Sequence, residues 1–400
     1  MDTTCAAGAQ APALDGGVDL ADILRAHGEE LGPLPAHQRR AATAIVRCRT
    51  AALGGHLHQC DACGHRELLY HSCRDRHCPR CQYGAQARWL EDREAELLPV
   101  PYFHVVFTVP AALHPVFRAD PRRAYGLLFA AVAETLREVA RTPRHLGAEI
   151  GFLAILHTWT QTLRFHPHLH CVVPGGGLAP DGTSWVPAKR GFLLPVRVLG
   201  EVFRGKLLSK LEEAHTADPF GEPVLELGRL LKQAARKRWV VFSKRPFAGP
   251  PQVLRYLARY THRIALSNHR IVSLEQGRVT FRYLDRADGN REKILELDAK
   301  TFLQRFLQHV VPQGFVRIRH YGFLANGVKR DRLARCRELL GARPPPSADA
   351  RNETWDETLA RLTGRDPLQC PACGEGHLQP HERIPAFRLP DGIPGRGRSP

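Results

Sequence analysis

The sequence has no apolar run long enough to cross a membrane. Its longest runs, such as YGLLFAAVA at 125–133, are far shorter than the roughly 20 residues that a membrane helix needs. The N-terminal stretch MDTTCAAGAQAPALDGG also resembles neither a secretory signal nor a transit peptide. These absences predict a cytoplasmic protein without a membrane partner.

Acidic residues are few relative to basic ones, and a nucleotide-binding loop is missing. The sequence contains 40 acidic residues and 57 Lys and Arg residues, which gives a net charge of +17. Such an excess favours a polyanionic partner, and nucleic acid before membrane. No Gly-x4-Gly-Lys-Ser/Thr loop occurs, so we predict no nucleotide cofactor.

The pattern of apolar residues indicates an α+β protein without internal repeats. Helical periodicity alternates with β-branched and aromatic runs, and short turns connect the runs that predict strands at 101–110, 150–160 and 164–177. This predicts an antiparallel sheet with flanking helices, preceded by a helical and zinc-ribbon domain. The predicted domains are a zinc-binding and DNA-contacting domain (18–98), a catalytic domain (100–340) and a largely flexible tail with a short CxxC segment (341–400).

Eleven cysteines in a chain without a secretory signal favour metal binding over disulfides. Two CxxC pairs, separated by fourteen residues, have the spacing of a four-cysteine structural zinc site: Cys60, Cys63, Cys78 and Cys81. Cys73 and His77 lie inside this block as possible additional ligands. The alternative is a set of unligated buried thiols. The later pair, Cys370 and Cys373, lacks an evident partner and is expected to be half of a metal site at most.

Arginines accompany the cysteine block and suit a DNA-contacting module, and the alternative is an ordinary solvated surface. They are Arg74, Arg76, Arg80 and Arg88.

The segment RFHPHLHCVVP (164–174) places three histidines at alternate positions: His166, His168 and His170. In a strand, alternate side chains point to the same face, so the imidazoles would stand in a row. Histidines at i and i+2 on one face suit a divalent ion, because neutral imidazole is a good ligand. The alternative is a row of core or surface histidines without a metal.

A downstream segment of helical pattern, RYLARY (255–260), places Tyr256 and Tyr260 on one face, one turn apart. Basic residues that could bind phosphates recur nearby: Lys244, Arg255, Arg259 and Arg263. Core packing is the alternative role for the two tyrosines. Combined with histidines, a divalent ion and a zinc module, however, the phenols predict nucleophilic attack on a DNA phosphodiester.

Several long motifs in this order resemble a known family. HPHLH, with FTVP (107–110) before it and YLARY after it, resembles the His-hydrophobe-His single-strand endonucleases. CRDRHCPRCQ, ILHTWTQTLRFHPHLHCVVPGGG, KRPFAGPPQVLRYLARYTHR and RIRHYGFLAN are similar to motifs of the two-tyrosine rolling-circle transposases of the insertion sequence 91 family. The likeness covers about residues 20–340 and DPLQCPACG (366–374).

The resemblance implies a role for each matching residue. His168 and His170 become ligands of a catalytic Mg²⁺ or Mn²⁺, with His166 or Gln161 as a possible third ligand. Tyr256 and Tyr260 become the nucleophiles, and the two CxxC pairs become the zinc site. The implied fold carries the histidines on a central strand of an antiparallel sheet.

The sequence therefore predicts a transposase that nicks and rejoins single-stranded or hairpin DNA at the ends of its element. Two alternatives remain open at this point. A replication initiator or relaxase would use the same site, and a zinc-ribbon DNA-binding protein would carry the site without activity.

Overall fold

The structure, a computed structural model, describes residues 17–189, 191–221, 226–244, 265–343 and 353–387. The helices in these ranges are α1 (Leu20–His27), α2 (Ala36–Arg47), α3 (Gln82–Ala95), α4 (His114–Ala119), α5 (Pro121–Arg141), α6 (Val196–Ala217), α7 (Leu227–Ala235), α8 (Ala299–Leu307), α9 (Lys329–Leu339) and α10 (Trp355–Thr363). The strands are β1 (Gly55–Cys60), β2 (Arg66–Tyr70), β3 (Tyr102–Thr108), β4 (Phe152–Trp159), β5 (Phe165–Pro174), β6 (Gly176–Leu178), β7 (Trp185–Pro187), β8 (Val241–Lys244), β9 (Ile271–Glu275), β10 (Arg278–Asp285), β11 (Arg291–Asp298), β12 (Ile318–Tyr321) and β13 (Leu378–Ile384).

The largest sheet is antiparallel and has the strand order β12-β4-β5-β3-β8. The predicted strands at 101–110, 150–160 and 164–177 are confirmed as β3, β4 and β5. The histidine-bearing strand β5 lies in the middle of this sheet. The α+β class and the central position of β5 are therefore both confirmed.

One face of this sheet is covered by helices α5 and α6. The alternating residues Leu169, Cys171 and Val173 of β5 are fully buried against the apolar sides of these helices. Burying a Leu or Phe side chain completely contributes roughly 1.5–3 kcal/mol. This core therefore fixes the direction in which every other side chain of β5 points.

The opposite face of the sheet is divided into two parts. At one end, Leu153, Ile155 and Val172 pack under Phe323 and the apolar side of α9. At the other end, the same face carries the histidines of β5, because their even-numbered positions alternate with the core positions. The fold thus reserves part of one sheet face for polar groups.

A second antiparallel sheet, β11-β10-β9, packs with α8, α1 and α2 around another core. The turn between β9 and β10 lies at Gln276 and Gly277, whose φ values of 50° and 72° fit a type I′ turn. Asp19 accepts hydrogen bonds from the backbone of α1 in a capping box, a role that aspartate often has at the position before a helix.

The C-terminal residues fold back onto the N-terminal part of the chain. β13 pairs antiparallel with β1, which also pairs with β2, and Arg361 of α10 forms an ion pair with Glu91 of α3. The expectation of a largely flexible tail is therefore wrong for residues 353–387. Among the helices that the structure describes, none has the length and apolar content to span a membrane.

Candidate functional site

Three imidazoles converge on the open face of the large sheet. They belong to His157 of β4 and to His168 and His170 of β5, and their nitrogens lie within 4.8 Å of one another. We call these residues the histidine triad. The pairing of β4 with β5 sets His157 directly opposite His168, so neighbouring strands deliver the side chains to one point. Such a cluster has the composition and spacing of a divalent metal site.

Hydrogen bonds orient two imidazoles of the triad. Nδ1 of His168 donates to the carbonyl oxygen of His166 at 2.6 Å, which leaves Nε2 as its metal-binding atom. Nδ1 of His170 is hydrogen-bonded to Nε2 of His104 on β3, also at 2.6 Å. When His170 donates this proton, its own Nε2 is likewise left for a metal. Partners of this kind commonly fix the ring orientation of metal-binding histidines.

Burial keeps these imidazoles neutral at physiological pH. It lowers the pKa of His168 to about 3 and holds the pKa of His170 well below its usual value, with the neighbouring His157 adding to the latter effect. Burial, and then the charge of Lys244, lowers the pKa of His104 to about 4. Neutral imidazole is the form that binds metal ions, so the donors present fit a divalent cation.

Of the two predicted third ligands, His166 does not belong to the triad, and Gln161 stays a prediction. The ring of His166 lies next to those of His168 and His114, at centroid distances of 5.2 and 6.4 Å, but outside the convergent group. Gln161 lies in the turn after β4, where its backbone carbonyl accepts a hydrogen bond from Arg270. The third position is filled by His157, which the sequence analysis had missed although it lies in the quoted motif ILHTWT.

We expect the substitution His104→Leu to weaken metal binding at the triad by about 10- to 100-fold, because the ring of His170 loses its orienting partner. Titration calorimetry with Mn²⁺ measures this change. His320→Leu is the matched control, since it removes a partly buried imidazole from β12, two strands away from β5. Equal Mn²⁺ affinities of the His104→Leu and wild-type proteins would contradict the orienting role.

The two tyrosines and three of the arginines predicted from the sequence lie outside the described residues: Tyr256, Tyr260, Arg255, Arg259 and Arg263. We call residues 245–264, which contain them, the tyrosine segment. Lys244, the fourth predicted phosphate contact, is exposed at the end of β8. Its strand partner is His104, which in turn is hydrogen-bonded to His170. Lys244, the last described residue before the tyrosine segment, therefore lies two strands away from β5, with β3 between them.

The first described residue after the tyrosine segment is linked to the triad through a series of contacts. Ala265, the next residue, is buried, and its carbonyl accepts a hydrogen bond from Arg270 at 3.1 Å. The same guanidinium binds the carbonyl of Gln161, two residues beyond Trp159. The indole of Trp159 stacks on His157 with a centroid distance of 4.7 Å. Lys244 and Ala265, the described residues on either side of the tyrosine segment, are thus linked to the surroundings of the triad, one through His104 and the other through Arg270.

Exposed aromatic and basic groups accompany the triad on its face of the sheet. Val241 of β8 packs into the helix-covered core, so the alternate residues Phe242 and Lys244 point to the opposite face. They pair with Val106 and His104 of β3. Phe242 is 54% exposed. An accessible ring and an ammonium group therefore lie one strand from the histidine that contacts the triad.

Eight of the ten described cysteines form two groups of four, and the predicted zinc site is wrong in its pairing. The first cysteine group consists of Cys48, Cys73, Cys78 and Cys81. The second cysteine group consists of Cys60, Cys63, Cys370 and Cys373. The two CxxC pairs predicted to share one ion thus contribute to different groups, because the β1–β2 hairpin carries the first pair away from the second.

The first cysteine group lies inside the core formed by α1, α2 and α8, where Cys48 and Cys78 are fully buried. The Sγ atoms of Cys48 and Cys73 lie 3.3 and 3.6 Å from that of Cys81. Cys73, predicted as a possible ligand, belongs to this group. His77 does not, since its two ring nitrogens contact the carboxylate of Asp75 and the backbone of Val311.

Two arginines of this region are structural. Arg80 forms an ion pair with Asp19 and donates to the carbonyl of Cys48, and Arg76 donates to the carbonyl of Phe315. Both guanidinium groups are therefore engaged within the protein, and their suggested role in DNA contact stays a prediction. Arg74 is exposed and is still compatible with such a role.

Comparison with known proteins agrees with both a zinc-binding N-terminal region and a transposase region that contains the triad. Residues 21–109 match the family model described as "Transposase zinc-binding domain", and residues 151–332 match the one described as "Putative transposase". The first range contains the whole first cysteine group, and the second contains the histidine triad. The thiols of the first group suit structural Zn²⁺, in agreement with the matched description.

Two relatives extend along most of the chain. A protein of Sinorhizobium fredii named "Putative transposase y4qJ" is 52% identical over 375 residues, which cover 90% of this chain and 94% of the relative. The transposase for insertion sequence element IS801 of Pseudomonas savastanoi pv. phaseolicola is 28% identical over 369 residues, 87% of this chain and 85% of the relative. No solved structure matches the chain. Its zinc-binding domain, its catalytic-domain match and these relatives together show that the chain belongs to the insertion sequence 91 family of transposases.

Proposed function

We propose that this transposase nicks one DNA strand at the end of its element and rejoins it through 5′-phosphotyrosine intermediates, in rolling-circle-type transposition. Family membership supports DNA as the partner and transposition as the process. The convergence of His157 of β4 with His168 and His170 of β5 on the open face of the large sheet is the observation that carries the finer proposal.

The chemistry assigned to the tyrosines is a phosphoryl transfer that keeps the number of phosphodiester bonds constant. The phenol of Tyr256 or Tyr260 loses its proton and bonds to the scissile phosphorus, while the bond from phosphorus to the 3′ oxygen breaks. The 3′ oxygen takes up a proton and becomes a hydroxyl that can prime replacement synthesis. The second phenol can accept a strand in the same way. Mg²⁺ or Mn²⁺ at the triad would polarise the scissile phosphate.

The anchoring of the tyrosine segment supports its assignment as the source of the nucleophile. Its first neighbour, Lys244, pairs with His104, and its last neighbour, Ala265, is bound by Arg270. A nucleophile must come within about 3–3.5 Å of the phosphorus that the metal polarises. The links of Lys244 and Ala265 to the surroundings of the triad are the described observations that support this segment as the source of the nucleophile.

Single-stranded or hairpin DNA is the proposed substrate. The exposed ring of Phe242 offers a surface on which an unpaired base can stack, and Lys244 on the same face can contact its phosphate. Base–aromatic stacking contributes about 1–3 kcal/mol per base and requires a base that is not enclosed in a duplex. The net charge of +17 supports the phosphate contacts.

The proposal predicts that Tyr256→Phe or Tyr260→Phe abolishes covalent DNA adducts in at least one cleavage step, and that the double variant forms none. Phenylalanine keeps the ring but has no attacking oxygen. The measurement uses oligonucleotides from the element ends with Mg²⁺ or Mn²⁺, followed by denaturing electrophoresis and mass spectrometry of the modified peptide. A label at the 3′ end should migrate with the protein, whereas a 5′ label should stay on the free product.

Tyr70→Phe, on β2 of the zinc-binding domain, is the control and should form adducts at the wild-type level. Adducts in the Tyr256→Phe/Tyr260→Phe variant would contradict the assignment of both nucleophiles. Nicking without excision and insertion of an element would favour a replication initiator or relaxase. DNA binding without nicking in any divalent ion would favour the non-catalytic zinc-ribbon protein.

A further inference from the structure

We propose that the second cysteine group binds a Zn²⁺ ion of its own, and that this ion fastens the C-terminal residues 365–387 to the N-terminal domain. Cys370 and Cys373 lie outside both regions that match family models. The inference is independent of the proposed nicking chemistry.

The two halves of this group have the same local sequence and the same backbone shape. Each half reads Cys-x-Ala-Cys-Gly, at 60–64 and at 370–374. Gly64 and Gly374 have φ values of 72° and 71°, a left-handed conformation that glycine adopts without a steric penalty. Their N–H groups donate to the carbonyls of Cys60 and Cys370 at 3.1 and 2.9 Å. Each half is therefore a tight turn that points two thiols in one direction.

Backbone N–H groups also point at the sulfur atoms. The amides of Ala62 and Cys63 lie 3.4 and 3.5 Å from Sγ of Cys60, and the amide of Gly376 lies 3.3 Å from Sγ of Cys373. Hydrogen bonds to a charged acceptor stabilise the charged form, so these amides favour thiolates over thiols. Thiolate is the form that binds zinc.

The distances between the sulfurs fit one tetrahedral ion. Sγ of Cys60 lies 3.8 Å from Sγ of Cys373, and Sγ of Cys63 lies 3.7 Å from Sγ of Cys370. A tetrahedral zinc with bonds of about 2.3 Å separates its sulfurs by about 3.8 Å. A disulfide would instead require about 2.05 Å. The four thiols therefore have the arrangement of ligands and not of two cross-links.

Apolar packing around this group is thin. The local buried cluster consists of Cys60, Cys370 and Leu378, with Cys373 partly buried beside them. Strand β13, which begins at Leu378, is exposed along most of its length. Burial of three residues offsets no more than the entropy that is lost when a few residues become ordered. A metal ion that joins cysteines more than 300 positions apart supplies the missing stabilisation.

Counting thiolate-bound metal tests the proposal in the full-length protein. Co²⁺ that replaces Zn²⁺ at a cysteine site gives a thiolate-to-metal absorption band, whereas Co²⁺ at the histidine triad does not. We expect two thiolate-bound Co²⁺ ions per wild-type chain and one in Cys370→Ala/Cys373→Ala. The matched double variant, Cys171→Ala/Cys336→Ala, removes two buried thiols outside both groups and should keep two ions.

A cleavage experiment tests the fastening. A specific protease site is inserted after Ser347, and the cut protein is passed through a size-exclusion column. The fragment that carries residues 348–400 should co-elute with the rest of the wild-type chain and separate from it in Cys370→Ala/Cys373→Ala. A single thiolate-bound ion in the wild type, or a fragment that the double variant retains, would overturn the proposal. The number of thiolate-bound ions in the wild type tests whether the second cysteine group binds metal, even if the variant does not fold.

Discussion

His170→Ala is expected to lower metal-dependent nicking by about 10³-fold, the loss that follows removal of one strong electrostatic contact at a reacting centre. His170 is 6% exposed, and its ring lies 4.2 Å from that of His157 and 4.7 Å from that of His168. Removing it leaves two nitrogens that cannot enclose the ion from three sides. The rate of single-turnover nicking of an end-derived oligonucleotide, with Mg²⁺ or Mn²⁺ in excess, measures the effect.

His166→Ala is the matched control for this prediction. It removes an imidazole from the same strand and the same face, but from outside the triad. We expect it to change the nicking rate by less than about threefold, and we expect His157→Ala to match His170→Ala. If His166→Ala lowered the nicking rate strongly and His157→Ala did not, the third ligand would be His166 of β5. Circular dichroism should show equal folding of all three variants.

The third ligand illustrates what a sequence pattern can and cannot predict. Alternation within β5 was sufficient to place His168 and His170 on one face, because that property belongs to a single strand. His157 joins them only through the register between β4 and β5. A shift of that register by one residue would point its side chain into the helix-covered core. The register depends on the turn that joins the two strands, where Thr160 donates to the carbonyl of Arg164, and on the core beneath it.

The cysteine pairing failed for a related reason. A CxxC pair indicates two ligands of one ion, but it does not identify the other two ligands. Proximity along the chain favoured a match between the pairs at 60–63 and 78–81. In the structure, the hairpin of β1 and β2 and the return of β13 bring the distant pair Cys370 and Cys373 to the first of them. The shared pattern Cys-x-Ala-Cys-Gly was the sequence signal that could have identified this partner.

The tyrosine nucleophiles stay a prediction of a different kind. They rest on the spacing of Tyr256 and Tyr260 and on the resemblance of the surrounding motif, and neither residue is among those that the structure describes. The described residues form the surroundings of the site: an open sheet face, the histidine triad, and the flanking residues Lys244 and Ala265. These fix where a nucleophile is needed, and the adduct experiment identifies which side chain provides it.

Cys78→Ala is expected to unfold the N-terminal domain. Its thiol is fully buried in the first cysteine group, in contact with the core of α1, α2 and α8. Structural zinc contributes about 10–16 kcal/mol of apparent binding free energy in zinc-finger peptides, and a whole domain is stable by only about 5–15 kcal/mol. Weaker zinc binding therefore removes most of the free energy that keeps this domain folded. Soluble yield, bound zinc per chain and protease resistance of residues 18–98 measure the result.

Cys336→Ala separates loss of the metal from loss of a buried thiol. Cys336 on α9 is as fully buried as Cys78, but it belongs to neither cysteine group. Its removal should cost about 1 kcal/mol, the usual effect of a small core truncation, and should leave the zinc content unchanged. A strong chelator added to the wild type should reproduce the protease sensitivity of Cys78→Ala. Full zinc content and normal protease resistance in Cys78→Ala would show that packing alone holds this domain together.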